Sequence, residues 1–174
     1  FTTPLLLDDP DVLSTPITLI DFSIEASDGC SHTVCFSFLA SDELCYDGGE
    51  HPFMVHDAYD ADMLHISYMG QRRQKLLCHA GDHITIDWGY LYLASQQAMT
   101  YATADGLGAA IKMGVLPGKR KDISLLLGYD DVASVNYFGM PAKAWYARKG
   151  KTFVMALTEF HAAHDTLLAR CAHL

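Results

Sequence analysis

Two short runs carry most of the chemistry legible in this chain. Asp87-Trp88-Gly89-Tyr90 sets a carboxylate beside an indole and a phenol. An acid next to aromatic rings on a sheet can hold a sugar or an amide by stacking and hydrogen bonding. The plainer alternative is a strand whose one polar side chain is satisfied inside the fold. Gly128-Tyr129-Asp130-Asp131 pairs two carboxylates with a phenol. Adjacent carboxylates suit a general acid/base couple or calcium. They equally suit capping of a turn or an interdomain contact. With Tyr92, Tyr137 and Trp145, these runs supply the candidate binding or interface residues: Asp87, Trp88, Tyr90, Tyr92, Asp130, Asp131, Tyr137 and Trp145.

Other reactive side chains form weaker patterns. His161 and His164 share a helical face and could chelate, but the run is not His-Glu-x-x-His and no third ligand is identifiable. His79 and His83 flank Gly81-Asp82, which puts them on a turn. No G-x-S-x-G elbow occurs, and the glycines near residues 106 and 117 match neither a phosphate loop nor a dinucleotide fingerprint. The five cysteines contain no C-x-x-C and are odd in number. They read as reduced, structural residues, with Cys35 in the core. No catalytic residue, metal ligand or cofactor is therefore assigned.

The elements that must position these residues are mostly strands. Residues 17–26 alternate, with Ile20, Phe22 and Ile24 on one face and Asp21, Ser23 and Glu25 on the other. Asp28-Gly29 then predicts a hairpin to a second strand over 31–40. Further strands are expected at 63–69, 75–79, 84–94, 98–103, 123–127 and 132–138. Gly89 inside the richest of them suggests a bulge or a close backbone approach. Residues 80–83 read as a turn and 46–61 as a loop or irregular edge. Residues 105–118 are ambiguous between helix and loop, and 1–15 form an extended entry. From residue 151 the apolar period changes to three or four residues, predicting one amphipathic helix over 151–173. Residues 141–150 lead into it. The fold class is mainly β: an antiparallel β-sandwich over 1–150, followed by a C-terminal amphipathic helix over 151–174.

Composition limits the partners. The chain has 174 residues, half of them hydrophobic, which suits one domain with a sizeable core. The formal charge of −9 lacks the footprint of a nucleic-acid binder. No apolar run is long enough for a helix to span a membrane. The chain begins at Phe1 without a Met or a signal-type core, so it reads as a piece of something longer.

The two runs also carry a family resemblance. Pro4-Leu5-Leu6-Leu7-Asp8-Asp9, Asp11-x-Leu13-Ser14-x-Pro16, Asp28-Gly29, Asp87-Trp88-Gly89-Tyr90-Leu91-Tyr92-Leu93-Ala94, Gly128-Tyr129-Asp130-Asp131 and Tyr137-Phe138-Gly139 occur in that order. Together they resemble the N-terminal β-sandwich region of the glutaminase A family of fungi and bacteria. The resemblance implies a truncated N-terminal domain, followed in the parent by a helical toroid that carries the chemistry. It implies a parent that hydrolyses L-glutamine to L-glutamate and ammonia. No family catalytic residue matches a position here, so none is carried over. The resemblance allows secretion, whereas the cysteine count leans to a reducing compartment, so location stays open.

Three functions follow as expectations. The first is a non-catalytic domain that packs on a downstream domain of the same polypeptide. It requires an exposed apolar patch, with Trp145, Tyr146 and the 153–171 stripe as candidates. The second is a carbohydrate- or amide-binding module with Trp88, Tyr90 and Tyr92 as platform. The third is an enzyme using Asp130, Asp131 and a histidine.

Overall fold

The computed structural model describes residues 1–46, 49–78 and 87–173. One helical turn, α1 (Pro10–Leu13), is followed by eight strands: β1 (Ile17–Ile24), β2 (His32–Ser41), β3 (Met54–Ala61), β4 (Leu64–Gln71), β5 (Tyr90–Ser95), β6 (Met99–Thr103), β7 (Gly106–Val115) and β8 (Lys121–Asp130). A small hairpin of β9 (Val135–Tyr137) and β10 (Met140–Ala142) comes next, then helices α2 (Phe153–Ala162) and α3 (His164–Ala172). Among the described residues the main strands form two antiparallel sheets, β1-β8-β5-β4-β3 and β2-β7-β6. The mainly β, sandwich-like architecture with a C-terminal helical element is as the sequence predicts.

The large sheet is covered on both faces. Ile20, Met69, Leu91, Leu93, Ile123 and Leu125 pack toward the small sheet, where they meet Ala40, Leu107 and Ala109. On the other face Ile17, Leu19, Leu64, Ile66, Ala94 and Leu126 meet Phe153, Ala156, Leu157, Phe160 and Leu167 of the helices. Period-2 alternation puts both sets on the same strands, so β4 is buried almost end to end and β8 through its middle, from Ile123 to Gly128. Gly128 makes the helix layer possible. A Cβ there would lie 2.6 Å from the Phe153 ring and 2.8 Å from the Pro16 carbonyl oxygen.

Several expectations are corrected. β1 and β2 do not form a hairpin: β1 pairs with β8 and β2 with β7, in different sheets. The Asp28-Gly29 turn is present, with Gly29 at φ +76° and Asp28 Oδ1 accepting from Cys30 N at 2.9 Å, but it is a corner between layers. Phe22 therefore meets Phe36 across the sandwich, ring centroids 4.7 Å apart. Residues 106–115 are a strand, although rich in Gly and Ala, because β7 is the middle strand of the small sheet. Its Gly108 accommodates the Tyr101 ring, which a Cβ would strike at 2.1 Å. Met54–Ala61 is an edge strand within the segment expected to be irregular. Residues 75–78 are not a strand; Leu77 has φ +54°. Cys35 lies on the exposed face of β2, outside the core. Cys45 is the buried cysteine, and burial pushes its thiol up to about 12. The turn at 80–83, with His79 and His83, and residues 84–86 of the expected strand lie outside the described residues.

The terminal helix is two helices, broken at Ala163 (φ −94°, ψ 5°). Thr152 caps the first, its Oγ1 accepting from Met155 N at 3.2 Å. The apolar stripe expected to be exposed is turned onto the sheet instead. The entry segment is not simply extended: Leu6 is buried, and Asp9 caps α1 through Val12 N. Arg170 of α3 reaches Asp9 at 2.9 Å and Asp8 at 3.0 Å. That contact lowers the Asp9 carboxyl and raises the guanidinium.

A second polar contact ties α3 to the sheet. His164 Nε2 lies 2.7 Å from Asp21 Oδ1 on β1, and Nδ1 lies 2.9 Å from Asp165 Oδ1. Ser124, Asp122, Arg120 and His161 line the same groove. Burial disfavours the charged imidazole, but hydrogen bonds to Asp165 and Asp21 outweigh it, so the His164 pKa is raised. A raised folded-state pKa gives stability that is complete below the unfolded value, about 6.5, and lost as pH climbs through the folded value. His161 runs oppositely: burial, then the charge of His164, lowers it. We expect the stability advantage of the wild type over His164→Gln to shrink as pH rises from about 6 to 8. Urea unfolding at several pH values measures this, and a pH-independent difference would refute it.

Candidate functional site

The two runs read from the sequence lie against each other. Tyr90 and Asp130 are direct cross-strand partners at the ends of β5 and β8. Gly89, at φ +89°, permits the approach: a Cβ there would stand 2.4 Å from the Asp130 carbonyl oxygen and 2.8 Å from the Tyr129 ring. The close approach expected at Gly89 is thus present, with β8 as the neighbour. Tyr129 donates its hydroxyl to the Trp88 carbonyl at 2.7 Å, and Trp88 Nε1 donates to the Ala133 carbonyl at 3.1 Å.

This packing decides the role of several candidates. Trp88 is 7% exposed and precedes β5, so its ring is part of the interior and offers no free face. Asp87 is equally buried, accepting from Gln71 Nε2 at 3.2 Å and from Lys75 Nζ at 3.0 Å. Tyr90 and Tyr92 point to the helix-side face. Tyr68 of β4 stacks on Tyr92 at 5.5 Å and meets Tyr90 edge-on at 5.9 Å. Tyr92 continues to Phe153 at 4.9 Å, and Phe153 to Tyr146 at 6.2 Å.

At the end of this aromatic row is a cleft of about 210 Å³. Tyr92, Asp130, Asp131, Lys143, Tyr146, Lys151, Thr152 and Phe153 line it. Asp130 Oδ1 also accepts from Val132 N at 3.1 Å, capping the bend after β8. Burial raises the Asp131 carboxyl; nearby Ser134 opposes the rise and the Asp130 charge adds to it. Burial, with the charges of Asp130 and Asp131, also raises the Tyr146 phenol. Lys151 Nζ is engaged by Glu159 Oε2 at 2.6 Å.

The remaining candidates lie on a different surface. Tyr137 (62% exposed) is on the β9–β10 hairpin and Trp145 (54%) on the 3-10 turn Trp145–Ala147 that follows. Phe138, at the hairpin tip, is 88% exposed, and Val135 and Met140 are exposed with it. Arg148 stacks 4.2 Å over the Trp145 ring and is paired with Asp11. Tyr146, named beside Trp145 as an exposed candidate, is buried.

Tyr68 and Lys143 were missed as site residues, and Phe153 was expected only as part of the helix stripe. Alternation already put Tyr68 on the face of Leu64 and Ile66. Only the order β4-β5-β8 brings that face to Asp130. His161 and His164 form no chelate; among the described residues no group of three or more His, Cys, Asp or Glu converges on a metal position. Ser124 Oγ lies 3.4 Å from His164 Nε2, but the hydroxyl donates to Asp21 at 2.7 Å. Both ring nitrogens are engaged by carboxylates, Nε2 by Asp21 and Nδ1 by Asp165, so neither is directed at the Ser124 hydroxyl as a general base. No described helix is long and apolar enough to cross a membrane.

A family model described as "Domain of unknown function (DUF5127)" matches residues 1–107. The chain belongs to this family. The DUF5127 match spans α1 through β6 and the start of β7, including the Asp87–Tyr90 run. Asp130, Asp131, the hairpin and both terminal helices lie beyond the matched residues. No curated protein matches the chain.

The contact between the two runs has a measurable consequence. Gly89→Ala forces a Cβ against β8 in a left-handed backbone and is expected to destabilise by about 1–3 kcal/mol. Trp88→Ala removes a buried ring and is expected to cost about 3–5 kcal/mol. Urea unfolding measures both, and unchanged midpoints would show that the runs do not support each other.

Proposed function

We propose that this chain is a non-catalytic N-terminal domain of a glutaminase A-like hydrolase. It docks on the catalytic helical toroid of the same polypeptide, whose reaction is hydrolysis of L-glutamine to L-glutamate and ammonia. The exposed apolar surface of residues 135–145 is the observation that carries this reading. Val135, Tyr137, Phe138, Met140 and Trp145 are all more than half exposed, within eleven residues. The hairpin is short, turns through Phe138 at φ +46° and Gly139 at φ +84°, and holds its aromatic side chains outward. Grouped aromatic and aliphatic side chains of this kind mark protein contacts, where large rings supply most of the binding energy. The sequence resemblance supplies the identity of the partner.

In this reading the β-sandwich is a rigid platform and the hairpin its anchor. Isolated binding of a sugar on a Trp88 platform receives no support, because that ring is used internally.

The test replaces Tyr137, Phe138 and Met140 with Ser in the full-length parent. The expected outcome is loss of association between sandwich and toroid after proteolytic cleavage of their linker, with the sandwich's unfolding midpoint unchanged. Retained association would overturn the hairpin as the docking element. Release of ammonia from glutamine by this chain alone would overturn the non-catalytic assignment.

A further inference from the structure

The cleft at the end of β8 brings together chemistry that the docking reading does not use. Asp130 and Asp131 line one side, and the residue 143–154 segment contributes Lys143 and Lys151 to the lining. Tyr92, Tyr146 and Phe153 form the aromatic lining between them. Lys151 is already neutralised by Glu159. Lys143 has no carboxylate within ion-pair distance among the described residues, although it lines the same cleft as two of them. The volume of about 210 Å³ has room for a small metabolite.

We propose that this cleft binds a small zwitterion, with its ammonium against Asp130 and Asp131 and its anionic end at Lys143. Aromatic walls favour the ammonium end, since ring faces attract cations most strongly when water is excluded. A half-buried Asp131 is costly as a lone anion, and an ammonium beside it removes that cost. A ligand with only one charge would leave either the carboxylates or Lys143 without a counter-charge. A neutral sugar could hydrogen-bond to these groups but would neutralise neither charge. The site rests on the cleft alone and is independent of the hairpin contact.

The experiment titrates the intact chain, by calorimetry, with two zwitterions, γ-aminobutyrate and glycine betaine. Tetramethylammonium, butyrate and methyl glucoside serve as cation-only, anion-only and neutral comparisons. At least one zwitterion is expected to bind saturably, with each comparison compound at least tenfold weaker. Asp131→Asn and Lys143→Met are each expected to weaken binding at least tenfold, and Lys143→Arg to retain it. Their unfolding midpoints are measured alongside, so that loss of the fold is distinguished from loss of the site. Absence of saturable binding by both zwitterions would overturn the proposal. So would equal binding of a comparison compound, or full binding by folded Asp131→Asn and Lys143→Met. The Tyr137, Phe138 and Met140 triple-Ser variant must bind as the wild type does; the docking reading can therefore fail without affecting this result.

Discussion

The large sheet has no solvent face to spare along its middle strands, and the rest of the structure follows from that constraint. β4, β5 and β8 carry apolar side chains on both sides, so two separate layers must cover them. The small sheet covers one side. On the other, α2 and α3 pack over Leu64, Ile66, Ala94 and Leu126. Each covered side chain of Leu or Ile size contributes about 1.5–3 kcal/mol on burial. Without the helices that contribution would be lost over the entire second face. The terminal helices are thus part of the core, and the polar contacts from Arg170 and His164 fix where they sit on it.

The same constraint generates the cleft. Helix α2 begins at Phe153, whose ring drops onto Gly128. The chain leading into it, residues 143–152, crosses the open ends of β5 and β8 before the helix starts. That path leaves a gap between the segment and Asp130–Asp131, lined by Tyr92, Tyr146 and Phe153. Preceding it, the β9–β10 hairpin leaves Tyr137 and Phe138 exposed, their rings packed only edge-on against each other at 4.7 Å among the described aromatic contacts. A buried aromatic cleft and an exposed aromatic hairpin therefore come from one continuous stretch, residues 130–154.

The Asp87–Tyr90 and Gly128–Asp131 runs illustrate how a chemical reading of sequence can be half right. Their unusual composition did mark a special place, and the two are adjacent through Gly89 and the Tyr129 hydroxyl. Yet Trp88 and Asp87 serve the interior, while Tyr90, Tyr92, Asp130 and Asp131 reach the helix-side face. The division follows from where β5 starts. Before Tyr90 the chain bends through Gly89, so the alternation that would have placed Trp88 with Tyr90 and Tyr92 does not extend back to it.

Periodicity alone established the strand faces of β1, the amphipathic character of residues 153–172 and the mainly β class. These are local properties, set by which side chains fall on one side of a repeating backbone. Sheet order is not local. β1 takes β8 as its neighbour, some hundred residues on, and the Asp-Gly turn after β1 serves a corner between sheets as readily as a hairpin. The Gly- and Ala-rich β7 became a strand because its flanking partners and the Tyr101 ring demanded small residues there, against weak local preference. The amphipathic stripe identified a face to be covered, but only the second apolar face of the large sheet decided that the cover lies within this chain. Burial is a property of pairs of surfaces, and one sequence period describes a single surface.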